Sequence, residues 1–510
     1  MNSTKTKTIK NSKEKMRIAF INLHGDTNMT AAYIHSLLEK NNFEIKTIHF
    51  RRLLFALVPP SKKELINLQR VIDKINPEII LMSVNSMSFW DAVKITEMFK
   101  NRKIVWGGIQ PLIDPERCLK HVEIIVRGEG DETIIDLLKA IKNKKDIHKI
   151  KNVWLKKEGE IIKNDFRPLV KNLDQLPFPD YSEKNKIYIL GEKVYSKNPL
   201  PHSKYSYNIT FSRGCPFSCT YCINHFLNRL FRNKYLRKRS VDSVIKELIL
   251  AKKRFSHLEH INFWDDVFIG DIKWLEEFVK KYKKYIHLPF FAYGNATLVT
   301  RKNIALLKEA GLSFFDLGIQ SGSEKIRKDI FGRIDSNEQI LRADKILHDL
   351  NINVGYDIIF SEFETEKEMG EGINFMLKLR KPFKVHRNKL AYYPNFEITK
   401  RALKEKKISL KDVASINPNI RTQIITKKEA GKNSLMNYYY FMGYRLIPNF
   451  FVKYIFKNKW HIKYPRLLTE LGELINRWEH VKYSIKSMFK MLKKGEFRYV
   501  QNRLFKKGYT

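Results

Sequence analysis

Cysteine is scarce. There are four in 510 residues, three of them within eight positions. That excludes a disulfide framework and points to a metal site in a reducing compartment. Long apolar runs are missing too: no stretch of about 18 uncharged apolar residues exists, so no spanning helix is expected. Residues 1–15 are rich in Lys, Ser and Thr without an apolar core, which excludes a secretory signal and reads as a disordered basic tail. A cytoplasmic chain is expected. Acidic residues are few against basic ones, 54 to 95, for a net charge of +41. Such a field favours nucleic acid, an anionic membrane surface or phosphorylated substrates. Lys, Asn and Ile are frequent everywhere, so a compositional bias explains the charge equally well.

What the chain does have is alternation. Apolar runs at 17–23, 45–50, 79–84, 104–106 and 122–127 read as buried strands. Helical spacing separates them at 30–41, 62–75, 89–100 and 132–142. Short strands alternating with helices make a parallel sheet covered on both faces. Residues 16–150 are therefore expected to form a doubly wound, Rossmann-like domain that binds ligands at the carboxyl ends of its strands. Residues 151–205 read as a linker, because Pro177 and Pro179 within Leu173–Tyr181 forbid helix. A second βα series spans 206–400, with strands at 208–212, 260–264, 290–293, 314–319, 354–360 and 385–391. Six strands suit an open, partial (β/α)6 TIM-like barrel, so the overall class is α/β. Ser240 and Thr300 are expected N-caps and Gly311 a C-cap.

The strongest chemical signal is Ser212-Arg213-Gly214-Cys215-Pro216-Phe217-Ser218-Cys219-Thr220-Tyr221-Cys222. Thiolates are the ligands of iron–sulfur clusters, and four are usual. A loop supplying three leaves one iron with an open position, the arrangement of a catalytic metal site. It follows the first strand of the series, where barrel active sites are built. A zinc site completed by His225, or buried unligated cysteines, are the alternatives.

This segment resembles the signature of the radical S-adenosylmethionine superfamily, three cysteines separated by three and two residues with an aromatic before the last. The resemblance implies a [4Fe–4S] cluster on Cys215, Cys219 and Cys222, with S-adenosylmethionine chelated to the open iron. It also implies an external one-electron reductant of flavodoxin or ferredoxin type, and a 5′-deoxyadenosyl radical that takes hydrogen from the substrate. Tyr221 would border the S-adenosylmethionine. Asp265-Asp266, at the end of the second strand, corresponds to the family's acidic pair near the amino group of that cofactor. Gly318-Ile319-Gln320-Ser321-Gly322-Ser323 resembles the Gly-Ile-Glu-Ser-Gly-Ser segment that approaches the ribose, with Gln320 replacing the acid. Arg239-Ser240 also fits.

The first domain resembles the cobalamin-binding domain of one branch of the superfamily. The residues carrying this are Leu81-Met82-Ser83-Val84, Trp106-Gly107-Gly108 and Arg127-Gly128-Glu129-Gly130-Asp131-Glu132. Ser83, Gly107, Gly108, Gly128, Glu129 and Gly130 are thus candidate cobalamin contacts. No Asp-x-His-x-x-Gly motif occurs, so no histidine is expected on cobalt; His24 reads as a turn residue. Cys118 reads as structural, and being alone it argues against the methylthiotransferase branch. The implied activity is methyl transfer from methylcobalamin to a carbon or phosphorus centre. Cyclisation, rearrangement or redox chemistry on a lipid or secondary metabolite is the alternative, as is a non-catalytic member that binds a membrane or partner. No catalytic residue is assigned. Phe360–Thr365 and Tyr393–Phe396 depart from the family pattern at the substrate side of the barrel.

Residues 401–510 read as a basic, aromatic, mainly helical region. Leu467, Leu471, Leu474, Trp478, Val481, Ile485, Met488 and Leu492 repeat at spacings of four and three, giving an apolar stripe opposite a basic face. The stripe suits a lid packed on the barrel, or peripheral contact with an anionic surface at the inner membrane face. No nucleic-acid module appears. The expected substrate is a small molecule or lipid.

Overall fold

The computed structural model describes residues 15–23, 29–51, 58–199, 205–232, 235–268, 271–416, 442–444 and 447–464, with helical positions at 467, 470, 471, 474 and 478. The basic tail, His24 and the stripe beyond Trp478 lie outside the described residues.

Five parallel strands form the centre of the first domain: β1 (Arg17–Leu23), β2 (Glu44–Phe50), β3 (Ile79–Ser83), β4 (Lys103–Gly107) and β5 (Ile124–Val126). The helices are α1 (Met29–Lys40), α2 (Lys62–Ile75), α3 (Phe89–Met98), α4 (Ile109–Ile113), α5 (Pro115–Cys118) and α6 (Asp131–Lys142). Each central strand is apolar on both faces because helices cover both sides, and two separate cores result. Cys118 is fully buried in one of them. The central order β5-β4-β3-β1-β2 changes direction between β1 and β3. Open sheets of this kind bind ligands at that switch point, and Ser83 ends β3 there.

The segment 151–205 is more than a linker. It adds β6 (Val153–Lys157), β7 (Glu160–Lys163), β8 (Lys186–Leu190) and β9 (Lys193–Tyr195), giving a nine-stranded sheet ordered β7-β6-β5-β4-β3-β1-β2-β8-β9. The β6–β7 hairpin turns at Glu158 and Gly159, both at positive φ, as a two-residue hairpin with right-twisted strands requires. β8 pairs parallel to β2 and returns through the antiparallel β9. The proline segment between these pairs holds only a short 3-10 turn.

The second domain is an open parallel sheet of β10 (Ser206–Ile209), β13 (His260–Phe263), β14 (Phe290–Gly294), β15 (Leu312–Gln320), β16 (Asn353–Phe360) and β17 (Phe383–Lys389), in that spatial order. A small antiparallel pair, β11 (Ser212–Arg213) and β12 (Arg237–Lys238), flanks α7 (Ile223–Leu230). The remaining helices are α8 (Val241–Arg254), α9 (Ile272–Tyr285), α10 (Arg301–Ala310), α11 (Asn337–Asp349), α12 (Glu366–Met376), α13 (Glu397–Lys404), α14 (Asn449–Lys457) and α15 (Trp460–Lys463). Ser240 and Thr300 cap α8 and α10, and Gly311 ends α10 at φ +121°. Phe315, Leu317 and Ile319 of β15 point to the helix layer and are buried there. The alternate residues Phe314, Asp316, Gly318 and Gln320 therefore face the barrel lumen.

Candidate functional site

The cysteine loop lies between β11 and α7 and is held from three sides. Asn228 of α7 donates to the carbonyls of Cys215 (3.0 Å) and Phe217 (3.4 Å). Thr220 donates its amide to Phe331 O (3.0 Å) and its hydroxyl to Ile330 O (2.7 Å). Gly214 adopts φ +94°, with Tyr235 packed where a Cβ would stand; only glycine fits.

Cys215 and Cys219 are buried, Cys222 is half-buried, and none is in a disulfide. Burial pushes the Cys215 thiol up to about 12 and the Cys222 thiol up to about 11. Bound iron would supply the missing positive charge and ionise them. Cys222 also caps α7, whose amide N–H groups favour a thiolate. His225, the fourth ligand zinc would need, bonds Glu397 through Nε2 (2.7 Å), while its buried Nδ1 has no hydrogen-bond partner. Three thiolates from one loop fit an iron–sulfur cluster with one open iron.

The acidic pair divides its work. Asp265 is buried and saturated: it accepts from the amides of Phe211 (2.9 Å) and Ser212 (2.7 Å) and from the Ser212 hydroxyl (2.5 Å). It fixes the exit of β10 into the loop, while burial raises its carboxyl to about 7. Asp266 is exposed and lies close enough to Cys215 and Cys222 to raise both thiols. Its carboxyl is raised by burial and bonded to Asn224, but unlike Asp265 it is not saturated by backbone amides.

Gln320 stands at a bulge closing β15 with φ +70°. Ser321 is buried, donates to Glu364 (2.5 Å) and receives Arg327 on its carbonyl (2.7 Å). Burial raises the Glu364 carboxyl to about 7. Glu364 belongs to the segment that departs from the family pattern, yet it reaches the same turn. Tyr221 packs edge-on against Phe331 and its hydroxyl accepts from Arg333 (3.2 Å).

Sequence reasoning missed Arg333. This buried guanidinium lies 3.9 Å from Cys219 Sγ and donates to Gly318 O (2.6 Å) and Asp335 (2.9 Å). It also missed a polar layer in the lumen: Asp316 on β15, Asp357 on β16 and His386 on β17, whose ligand atoms lie within 4.8 Å of one another. His386 Nε2 is 3.2 Å from Asp316 Oδ2, while the buried Asp316 Oδ1 has no hydrogen-bond partner. Burial raises both carboxyls to about 7. The signal was present as strand alternation, since an acid between Phe315 and Leu317 must face away from the helices.

The carboxyl edge of the first sheet faces this site. Glu129 pairs with Arg237 (2.5 Å) and Arg213 (3.1 Å), and Asp131 takes a two-pronged bond from Arg213 (2.7 and 3.0 Å). The Glu129 carboxylate, a candidate cobalamin contact, is thereby committed to joining the two domains. Gly128 (φ +74°) packs its Cα side on Phe166. Leu112 and Ile113, just beyond Gly107-Gly108, share one apolar cluster with Leu227, Ile330 and Phe331 beside the cysteine loop. At Gly107 a Cβ would meet nothing within 4 Å, and Gly108 is exposed at φ +97°. Gly107 thus leaves open space at the strand end, while a Cβ at Gly108 would stand 2.8 Å from Val84 O.

Comparison with known proteins agrees with this geometry. Residues 209–376 match the model of the Radical SAM superfamily. An uncharacterized methyltransferase of Pyrococcus horikoshii is 26% identical over 322 residues, covering 61% of this chain and 67% of that protein. In fold, the chain resembles the radical S-adenosylmethionine methyltransferase TsrM of Kitasatospora setae (TM-score 0.60, 14% identity, 76% of each chain). It resembles equally the cobalamin-dependent S-adenosylmethionine radical enzyme OxsB (TM-score 0.58, 18% identity, 96% of this chain and 71% of that one). Residues 209–376 thus match the radical SAM superfamily model, and the chain shares its fold with TsrM and OxsB.

Proposed function

We propose that this protein is a cobalamin-dependent radical S-adenosylmethionine methyltransferase acting on a small-molecule substrate. The observation that carries the reading is the juxtaposition of the cysteine loop with the strand end at Gly107, where a side chain would meet only open space, across the apolar cluster that includes Leu112, Ile113 and Phe331. Two cofactor sites on facing domains suit a reaction in which one cofactor activates the substrate and the other delivers a group to it. When bound, the cluster with S-adenosylmethionine supplies a 5′-deoxyadenosyl radical, and the corrinoid supplies a methyl group.

The chain's own residues then have separable tasks. Cys215, Cys219 and Cys222 hold the cluster and leave one position open. Asp266 accepts the ammonium of S-adenosylmethionine, and Gln320 offers its amide to the ribose from a strained backbone that aims it at the mouth. Ser321 and Glu364 fix that turn. Ser83, Gly107 and Gly108 line the corrinoid side. Asp316, Asp357 and His386 lie below the mouth, where they meet the polar end of a substrate. The apolar cluster between the domains keeps water from the radical.

Anaerobic reconstitution tests the reading. The expected result is a brown protein with about four iron per chain that forms 5′-deoxyadenosine on reduction with S-adenosylmethionine. Cys219→Ala should abolish both. Expression with hydroxocobalamin should give stoichiometric corrinoid uptake. A side chain at Gly107 meets only open space in the fold, so Gly107→Phe should leave the cluster intact and block that uptake. Absence of corrinoid in the parent protein sinks methylcobalamin chemistry while leaving the radical domain standing.

A further inference from the structure

We infer that α14 and α15 dock the protein on the surface of an anionic lipid bilayer. One face of α14 is anchored to the barrel. Val452 and Ile455 are buried in its core, and Phe456 packs on Gly370 of α12. Asn449 donates to Leu377 O (2.9 Å), and Lys381 donates to Ile447 O (2.6 Å) just before the helix. The helix is thus fixed, and its opposite face is displayed.

That face is not polar. Phe450, Phe451 and Tyr454 are exposed, by 74% in the case of Phe450. Tyr464 follows, and Leu467, Leu471, Leu474 and Trp478 are exposed at the helical spacing of four, three and four. Eight of the eighteen large hydrophobic side chains exposed among the described residues fall between 450 and 478. A concentration of this kind marks an interaction site. The first four members of the stripe expected to form a lid are solvent-exposed. Between α12 and α14 lies a groove of about 680 Å³ with an apolar wall of Ile373, Phe450 and Tyr454, and with Lys453 and Lys457 among its lining.

Charge selects the occupant. Residues 449–510 hold fifteen lysines and arginines against four glutamates and no aspartate. Lys453, Lys457, Lys459 and Lys463 stand exposed beside the aromatic face. Aromatic and aliphatic side chains at acyl depth, with ammonium groups at phosphate level, are what an interfacial helix presents to anionic lipid. A second copy of the chain would bring the same positive field against itself. A nucleic acid would leave the Leu467–Leu474 stripe in water. Among the described residues no helix is long and apolar enough to cross a membrane, so contact is at the surface. The site is linked to the barrel mouth: Lys459 pairs with Glu366 (3.5 Å), two residues after the Glu364 that holds Ser321.

The test is flotation of the full-length, cluster-loaded protein with vesicles of phosphatidylcholine alone or doped with phosphatidylglycerol. Binding to the doped vesicles should exceed binding to the neutral ones at least tenfold and weaken as salt rises. Phe450→Ser with Tyr454→Ser should cut it about tenfold at an unchanged melting temperature, because both side chains are exposed; Lys453→Glu with Lys457→Glu should do the same. No binding to doped vesicles, equal binding to both kinds, or binding unaffected by either pair of substitutions overturns the inference. So does concentration-dependent dimerisation, or RNA binding that depends on the same four residues in place of lipid. None of these outcomes depends on turnover.

Discussion

Arg333 is a cation held beside a sulfur. Its pairing with Asp335 and the carbonyl of Gly318 offsets the cost of burying it. Positive charge and N–H donation toward a ligating sulfur favour the reduced state of a cluster. Arg333→Gln should lower the midpoint potential by tens of millivolts, where 59 mV is a tenfold change in a one-electron equilibrium. Arg333→Lys, which keeps the charge, should restore much of it. Potentiometric titration followed by electron paramagnetic resonance reads the change, and an equal potential in all three proteins would refute the role. At this scale the sequence was uneven. The cysteines were legible because ligand chemistry dictates both residue type and spacing. The roles of Asp265 and Asp266 were not, because adjacent carboxylates in an extended segment point opposite ways and only the fold says which one faces backbone amides. Asp316, Asp357 and His386 come from three separate strands, and nothing local announces that they meet.

Elements were easier to read than the joints between them. Strand and helix periods located every central strand of both sheets within a few residues, since buried parallel strands are apolar runs. β6 and β7 escaped because an edge hairpin with one solvated face looks like a polar connector. β8 was overshadowed by the prolines preceding it. The interdomain clamp was also hidden, although Gly128, Glu129 and Gly130 had been singled out for a ligand. Burial works against ionising Asp131, yet the Arg213 guanidinium holds its carboxyl below the usual range. Arg213→Met removes one partner of a nearly buried network. Full burial would make that cost about 3–5 kcal/mol; with the Arg213 side chain 27% exposed, about 2 kcal/mol is expected after allowing for solvent screening. Hydrogen exchange should show faster exchange in α6 and β11 and little change in α10 or α11. Uniform destabilisation of both domains would mean that the clamp is not a local device.

For the whole molecule, the lumen carboxyls imply a pH dependence of stability with a definite sign. Asp316 and Asp357 lie beside each other, with Tyr293, Lys384, His386 and Arg333 around them. Burial, and for Asp357 also the neighbouring Asp316, raise their folded-state pKa to about 7 from an ordinary value near 4. The folded state therefore binds more protons than the unfolded one between those values, and its stability falls as pH rises through 7. One such group loses about 1.4 kcal/mol between pH 6 and pH 8. Because the two carboxyls are coupled, their titrations are not independent and the fall is taken for one group. His386 has its pKa lowered by burial, so its own contribution rises with pH up to the ordinary histidine value near 6.5 and opposes the carboxyl effect at the lower end of the interval. The melting temperature should accordingly drop from pH 6 to pH 8, and Asp316→Asn, which carries no charge at either pH, should flatten that slope. The comparison between parent and variant cancels the other histidines and the large positive field, which both proteins share. An equal slope in the two would mean that the pair ionises as freely as it does in water. In that case a substrate's polar end would meet a fully charged floor in place of one that can donate a proton.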